Sequence, residues 1–258
     1  MNALFGNPVG LRTLITRELV RTFAIINQVI WPPVITTLLY VFVFGLALGS
    51  RIQSIQGVSY ATFLIPGLIM LQVIDGTYSE SSSSIFQGRF MNHIQELLIA
   101  PLSAVEMVLG YIIAGVLRAL FIALIITVLG ALLVHTIPLD WGLYLLTITL
   151  VAILFSALGI IFGLLAEKFD HIAVLTTFLI TPLVFVGGVF TSVQFLPPFV
   201  RAISLFNPMF HMIDAFRYSY TGRGDVPLST SLSVVTGLTV ISVAIAFTMT
   251  ARGVKLRT

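Results

Sequence analysis

The sequence predicts an all-α integral membrane protein with six transmembrane helices, and composition and hydropathy both support this. Of its 258 residues, 58% are hydrophobic and 9% are charged, whereas about 25% of the residues in a soluble protein are charged. The mean hydropathy is +1.08. A helix needs about 20 apolar residues to cross roughly 30 Å of hydrocarbon, and the chain contains six such segments. The remaining loops are too short for a large soluble catalytic domain, so we expect one transmembrane domain over residues 1–258.

The N-terminal 29 residues are predicted to form an amphipathic helix on the cytoplasmic surface, because apolar residues recur there at helical spacing between charged ones. Trp31 then opens the first span, where an indole suits the membrane interface. Spans 1 to 5 are expected within residues 30–190. The six predicted spans are residues 30–48, 60–78, 107–134, 141–165, 172–190 and 228–250.

The segment 191–227 differs from the spans around it. Its apolar pieces are interrupted by Pro197-Pro198 and Asn207-Pro208, and each piece is too short to cross a bilayer. We expect re-entrant or interfacial helices and an outer loop here. The last span is followed by a basic tail, residues 251–258.

The distribution of lysine and arginine predicts the orientation. If both chain ends are inside, eight of the thirteen basic residues lie on the inner side and four in outer loops, with Arg118 inside a span. Basic residues concentrate in cytoplasmic loops. Both termini are therefore predicted to be cytoplasmic.

Several kinds of chemistry have no signature in this sequence. It contains no cysteine, and neither Lys168 nor Lys255, its only lysines, follows a glycine as a phosphate-binding loop requires. The four histidines lack metal-ligand spacing, and the net charge of +3 is dispersed. We expect no catalytic residue, no metal site and no nucleic-acid partner.

An amphipathic helix is predicted in the inner loop over residues 85–102. Phe86, Phe90, Ile94, Leu97 and Leu98 recur at steps of three and four with polar residues between them, before a proline at 101. Such a helix either lies at the lipid interface or docks its apolar face into a groove on a soluble partner. Periodicity supports both equally.

Two ionisable residues are predicted within the membrane. A rise of 1.5 Å per residue places Asp75 of the second span and Arg118 of the third in the same third of the bilayer. Buried ionisable groups pair with one another or face a water-filled path. We predict an Asp75–Arg118 ion pair that ties the two helices together.

Three stretches in a particular order resemble the ABC-2 permeases, which are the membrane subunits of ATP-driven exporters similar to those for nodulation factors, polysaccharides and drugs. The first is Pro66-Gly67-Leu68-Ile69-Met70 and the second is Glu-Leu-Leu-Ile-Ala-Pro-Leu-Ser at residues 96–103. The third is Gly187-Gly188-Val189-Phe190, followed by the two proline-containing motifs of residues 191–227. The order and spacing of these stretches, rather than any one of them, carry the resemblance.

The resemblance implies a homodimeric permease of the bacterial inner membrane that binds no cofactor itself. Two copies of a separate P-loop ABC ATPase would bind ATP and Mg, and membrane lipid would surround the pair. The expected substrate is amphipathic: a drug, a lipid or a glycan-lipid.

The resemblance also implies roles for individual residues, carried over by span and motif. The ATPase-coupling residues would be Arg89, Phe90, Ile94, Glu96, Leu97, Leu98 and Pro101. The second and fifth spans would line the substrate pathway with Gln72, Asp75, Phe178, Pro182 and Phe185. The outer gate would contain Gly187, Gly188, Pro197, Pro198, Asn207 and Pro208.

Two other classes of protein compete with this interpretation. An energy-independent channel or proton-coupled secondary carrier would use Asp75 as its ion site and would show further ionisable pairs deep in several spans. An intramembrane enzyme acting on lipid would need His or acidic residues that converge at one depth. The only candidates for such a site are His93 and His171. The ordered motifs favour the exporter permease over both.

Overall fold

The computed structural model describes residues 6–48, 54–55, 57–91 and 102–255. Within them, six helices are long and apolar enough to cross a membrane, which confirms the predicted all-α membrane fold. A two-residue antiparallel hairpin, β1 (Ser54–Ile55) with β2 (Val58–Ser59), precedes the second span. The helices are α1 (Pro8–Ala24), α2 (Ile26–Tyr40), α3 (Tyr60–Phe90), α4 (Ala104–Val134), α5 (Trp141–Leu165), α6 (Phe169–Leu175), α7 (Thr181–Val186), α8 (Pro198–Phe206), α9 (Pro208–Thr221) and α10 (Leu228–Ala251).

The first and fifth spans contain π-helical segments. The first span is α2 continued by π1 (Val41–Leu48), and the fifth is α6 and α7 joined by π2 (Thr176–Ile180). Pro182 is the second residue after π2, and the wider turn occurs where the proline lacks a backbone N–H. Gly187 ends the helix and Gly188 follows with φ +92°. The fifth span therefore runs from Phe169 to Val186, three to four residues earlier than predicted.

The N-terminal helix packs against the bundle along one face. Asn7 caps α1 by accepting a hydrogen bond from Gly10 N at 2.8 Å, and its own backbone N–H donates to Glu106 Oε1 at 2.6 Å. Leu14 fits over Gly110 of α4, where a Cβ atom would lie 2.5 Å from the leucine side chain. Val20 and Phe23 remain exposed on the other face. The helix is thus fixed to α4.

The centre of the bundle is α3, most of which is buried between α4, α5 and α9. Gly159 and Gly163 of α5 let the two backbones come close, because Cβ atoms there would lie 2.9 Å from Tyr78 O and 2.7 Å from Ser82 O. A pair of small residues four apart is a common site of close helix approach in membranes. This packing fixes the C-terminal half of α3.

The length of α3 differs from the prediction. The second span was expected to end at residue 78 with a polar segment after it, but the helix continues to Phe90. Ser82 accounts for this, because its Oγ donates to Tyr78 O at 2.7 Å, which satisfies the hydroxyl inside its own helix. Small hydroxyl side chains can then be buried against the glycines of α5.

Candidate transport site

The ionic contacts near the C-terminal end of α3 give Arg118 a partner other than the predicted one. Arg118 Nη1 lies 2.5 Å from Glu80 Oε2. In the described structure no nitrogen of Arg118 lies within ion-pair distance of the Asp75 carboxylate. Among the described residues the predicted Asp75–Arg118 ion pair is thus not in direct contact: Arg118 pairs with Glu80, and Asp75 interacts with its charge from beyond ion-pair distance. The physical reason is the continuation of α3: Glu80 stays helical one and a half turns beyond Asp75 and so reaches the level of Arg118.

Glu80 also joins α3 to α1. Its Oε1 is 2.6 Å from Arg21 Nη2, and the same Arg21 nitrogen lies 3.1 Å from Glu18 Oε2. Ser84 Oγ donates to Glu18 Oε2 at 2.6 Å. Three helices, α1, α3 and α4, are thus held together by charged groups at one end of the bundle.

A polar stripe on α3 is left partly uncovered by the other described residues. Gln72, Asp75, Ser79 and Ser83 recur at steps of three and four and are partly or fully exposed, whereas the residues between them are mostly buried. Two of the predicted pathway residues, Gln72 and Asp75, belong to this stripe. Polar groups facing hydrocarbon are expensive, so the stripe requires a cover other than lipid.

The fifth-span residues predicted for the pathway lie in two environments. Phe178 is 75% exposed, and Pro182 is exposed on the same span. Phe185 instead belongs to an aromatic cluster with Tyr40 and Phe190, whose ring centroids are 6.5 and 5.1 Å from its own. Phe185 thus links the fifth span to the first.

The helix ends at the opposite side of the bundle meet at the turn formed by Gly187 to Phe190, which we call the outer turn because the predicted orientation places it outside. Gly67 of α3 faces this turn, and a Cβ atom there would lie 2.8 Å from Val189 O. Tyr60 OH donates to Phe190 O at 2.9 Å. Gly188 adopts φ +92°, which favours glycine. Two of the motifs that carried the family resemblance, Pro66-Gly67 and Gly187-Gly188, therefore pack together.

The corner between α8 and α9 is clipped to the same turn. Asn207 Nδ2 donates to Leu183 O at 2.6 Å, and Asn207 Oδ1 accepts from Met209 N at 3.0 Å. Pro208 is the first residue of α9, where its missing N–H costs nothing. Pro197 and Pro198 start α8 on the exposed side. The predicted gate residues thus divide into two groups. Gly187, Gly188, Asn207 and Pro208 lie at the turn, whereas Pro197 and Pro198 are exposed at the start of α8.

A buried arginine supports this turn, and sequence reasoning missed it. Arg217 of α9 is 1% exposed and donates from Nη2 to Gly188 O at 2.6 Å, with its guanidinium 3.8 Å from the centroid of the Phe63 ring. Burial lowers the pKa of Arg217 to about 10, although Asp214 and Asp225 act in the opposite direction. It therefore remains charged at neutral pH.

Asp214 is the nearby acid on the same helix. It accepts a hydrogen bond from Asp225 N at 2.7 Å, and burial raises its pKa. Arg217 was counted in the sequence as an outer-loop base. The sequence feature that points to a buried role for Arg217 is its position, one helical turn after Asp214 in a largely apolar and aromatic stretch.

At the other end of α3, Arg89 is used within the chain. Its Nη1 donates to Gly163 O, Leu164 O and Ala166 O at 3.1, 2.7 and 3.0 Å, which satisfies carbonyls left open at the end of α5. Phe90 is 75% exposed. The other predicted coupling residues, Ile94, Glu96, Leu97, Leu98 and Pro101, lie outside the described residues.

Comparison with known proteins decides the family. The family model described as ABC-2 type transporter matches residues 9–221, which include α1, the stripe on α3, the outer turn and Arg217. The chain belongs to the ABC-2 type transporter family. The resemblance inferred from the sequence is thereby confirmed.

Two relatives of this ABC-2 family member match most of its length. It is 40% identical over 249 residues to the inner membrane transport permease YadH of Escherichia coli K12, covering 96% of this chain and 97% of that one. It is 29% identical over 189 residues to nodulation protein J of Rhizobium leguminosarum bv. viciae, covering 72% of each. The protein is a transport permease and a multi-pass protein of the inner membrane.

The described part of this ABC-2 family member shows no cluster of metal-binding side chains. Within the described residues, no three His, Asp or Glu side chains come together in a way that could hold a metal ion. Charged side chains of the described residues instead form the clusters around Glu80 and around Arg217, together with an exposed Lys255–Glu167 ion pair. The arrangement is that of a helical bundle with one open polar stripe.

Proposed function

We propose that this protein is the permease subunit of an ATP-driven exporter, in which two copies form the translocation pathway and two separate P-loop ATPase subunits supply energy from bound ATP and Mg. The observation that carries the proposal is the uncovered polar stripe of α3. In this proposal both termini face the cytosol, as the distribution of basic residues predicts.

The stripe supports both the dimer and the pathway. Its hydroxyl, amide and carboxylate groups would be costly against lipid tails, but a second copy or water-filled space would accept them. Phe178 and Pro182 of the fifth span present exposed apolar surface. A pathway with polar groups on one wall and apolar groups on the other suits an amphipathic substrate such as a drug, lipid or glycan-lipid.

The continuity of α3 provides a mechanical link between the two ends of the bundle. Its 31 residues span about 46 Å at 1.5 Å per residue, from Tyr60 under the outer turn to Phe90 beside the proposed coupling segment. Contacts with Gly159, Gly163 and the Glu80 cluster hold its inner half. A displacement of the coupling segment would therefore be passed to the outer turn by one helix.

The energy for this displacement would come from the partner subunits. A ligand shifts a conformational equilibrium only through its different affinities for the two states, so ATP must favour one arrangement of the coupling segments. In the proposed cycle, closure of the ATPases moves the Glu96 and Leu97 region and α3 with it. The substrate then leaves past the turn held by Gly188 and Arg217.

Asp75 gives a second candidate function some support. It is partly exposed within the stripe, and among the described residues no basic nitrogen lies close enough to form an ion pair with it. A proton-coupled carrier would use such a carboxylate. In that case an Asp75→Asn variant would lose transport driven by a proton gradient, whereas an exporter would retain ATP-driven transport.

The decisive experiment is reconstitution with and without the ATPase. Tagged permease would be purified from its native membrane, the P-loop subunit that accompanies it identified by mass spectrometry, and both placed in vesicles with a fluorescent short-chain phospholipid and rhodamine 6G as separate probes. We expect movement of at least one probe only with ATP and both subunits. The control is the ATPase with its P-loop lysine substituted. Movement of a probe by the permease alone, driven by a proton gradient, would establish the carrier instead.

Cysteine accessibility tests the pathway separately, because the native chain contains no cysteine. Ser79→Cys places a thiol on the open stripe, and Ser82→Cys places one on the buried face near Gly159. A water-soluble maleimide should label the first and not the second. Equal labelling of both, or of neither, would contradict an aqueous pathway along this face.

A further inference from the structure

A cleft between α1 and α3 lies beside the Glu80 cluster and has no role in the proposed transport cycle. Its volume is about 400 Å³, within the range of small-ligand sites. The residues that line it are Arg17, Glu18, Val20, Arg21, Ser84, Gln87, Gly88 and Met91.

The charge in and around this cleft favours an anion. Arg17, Arg21 and Arg118 contribute three positive charges, and Glu18 and Glu80 contribute two negative ones. The excess positive charge lies towards the opening, since the side chains of Arg17 and Arg21 are 40% and 30% exposed while that of Glu18 is 5% exposed.

Both arginines retain unused donors. A guanidinium has five N–H groups, but the ion pairs of Arg17 and of Arg21 with described residues all use Nη2. Arg21 Nε is buried without a hydrogen-bond partner in the described part of the chain. Arginine donors of this kind bind phosphate oxygens in pairs.

The rim of the cleft indicates which phosphate compound fits. Val20 and Met91 line it and are 61% and 58% exposed, and Phe23 is exposed one turn further along α1. The ligand therefore meets basic groups at one end and apolar side chains at the other. On the cytoplasmic side, basic residues of amphipathic helices and basic pockets beside transmembrane helices bind the headgroups of anionic lipids.

We propose that this cleft binds the phosphate group of an anionic phospholipid, with the acyl chains lying along Val20 and Met91. This proposal rests on the proposed function in one respect, the choice of membrane leaflet. The lipid lies in the cytoplasmic leaflet if the termini are inside. A lipid bound here contacts α1 and α3 together. It would stabilise the junction through which the inner end of α3 is held.

Gly88 allows a variant that blocks the cleft and leaves every charge in place. No atom of the described residues lies within 4 Å of a Cβ built at Gly88, so Gly88→Phe fills open space in the cleft. Gly237 of α10 is equally open in the described structure, and Gly237→Phe is the matched control. The double variant Arg17→Gln with Arg21→Gln removes both guanidinium groups, but it also removes the two ion-pair partners of Glu18.

The test is thermal unfolding of the full-length permease in detergent with added phosphatidylglycerol, phosphatidylcholine or inorganic phosphate. At a hundredfold excess over its Kd, a ligand of the folded state should raise Tm by roughly 5–10 °C. We expect this rise with phosphatidylglycerol and not with phosphatidylcholine. It should vanish in the Gly88→Phe protein and persist in the Gly237→Phe protein.

The remaining outcomes are also decisive. A rise with inorganic phosphate that Gly88→Phe abolishes would support the site and assign it to a free anion rather than a lipid. Equal shifts with both phospholipids, or an undiminished phosphatidylglycerol shift in Gly88→Phe, would overturn the proposal. None of these results depends on ATP or on transport, so the exporter proposal can fail while the lipid site stands.

Discussion

The buried charge of Arg217 is compensated on several sides. Its guanidinium donates to Gly188 O and lies over the Phe63 ring, and Asp214 and Asp225 interact with its charge. A buried charge is tolerated only when such partners are present. At the scale of single residues, the geometry of the outer turn therefore depends on a side chain from α9.

Replacing Arg217 should destabilise the protein more than any change to an exposed arginine. Arg217→Gln leaves Gly188 O without its donor and Asp214 without its neighbouring positive charge, at a cost of about 3 kcal/mol. The free energy of unfolding in mixed micelles measures this. Arg201→Gln, on the exposed side of α8, is the control and should stay within about 0.5 kcal/mol. A similar small effect at Arg217 would mean that the contact is dispensable.

The partner of Arg118 is a second prediction at this scale. Glu80→Gln and Arg118→Gln should couple by about 1–3 kcal/mol in a double-mutant cycle, as expected for a contacting, poorly hydrated pair. The cycle of Asp75→Asn with Arg118→Gln should give less than half of that energy, since the two groups are not in contact. Unfolding in mixed micelles gives both values. A larger coupling for Asp75 would restore the original pairing.

At the scale of helices, close packing of α3 against α5 decides how far the second span extends. Gly159→Ala would place a Cβ 2.7 Å from Ser81 Cβ and 2.9 Å from Tyr78 O, and one of these backbones must move. We expect a loss of about 1–3 kcal/mol. Gly237→Ala meets no described atom within 4 Å and should be neutral or stabilising by about 0.5–1 kcal/mol. Equal effects in unfolding experiments would remove the special role of the α3–α5 contact.

The same contact shows what the sequence can and cannot predict. Hydropathy located all six spans, because lipid demands an apolar exterior over a fixed length. It ended the second span too early, since Ser81 to Ser84 look like loop residues until Gly159 and Gly163 are seen to pack against the Ser81–Ser82 segment. Once α3 was cut short, Glu80 fell outside the membrane and Asp75 was the only acid left for Arg118. The pairing therefore depended on tertiary contacts.

The candidate site was predictable to a similar degree. The family resemblance assigns Gln72 and Asp75 to the pathway by span, and the predicted fifth span includes Gly187-Gly188, although the helix ends there in the structure. Arg217 could not be assigned from the sequence, because its role depends on Phe63 and Gly188, which are far away in the chain. Hydrophobic patterning thus predicts the spans, but long-range contacts decide which polar residues matter.

For the whole molecule, the proposed transport cycle requires that movement at the C-terminal end of α3 reach the outer turn. Glu96→Ala with Leu97→Ala should abolish ATP-driven transport in the reconstituted complex, because these side chains are proposed to transmit the movement of the ATPase. The α3–α5 contacts and the Glu80 cluster are untouched, so membrane insertion and unfolding free energy should stay within about 0.5 kcal/mol of the native protein.

Three measurements on the same preparation separate uncoupling from misfolding: probe transport, ATP hydrolysis and thermal unfolding. Uncoupling predicts lost transport with unchanged Tm, and either lost association of the ATPase or hydrolysis that no longer responds to the permease. Gln194→Ala, exposed at the opposite end of the bundle, should change none of the three. Full transport in the Glu96 and Leu97 variant would show that the driving contact lies elsewhere on the inner surface, and α3 would lose its place as the link between ATP and the outer turn.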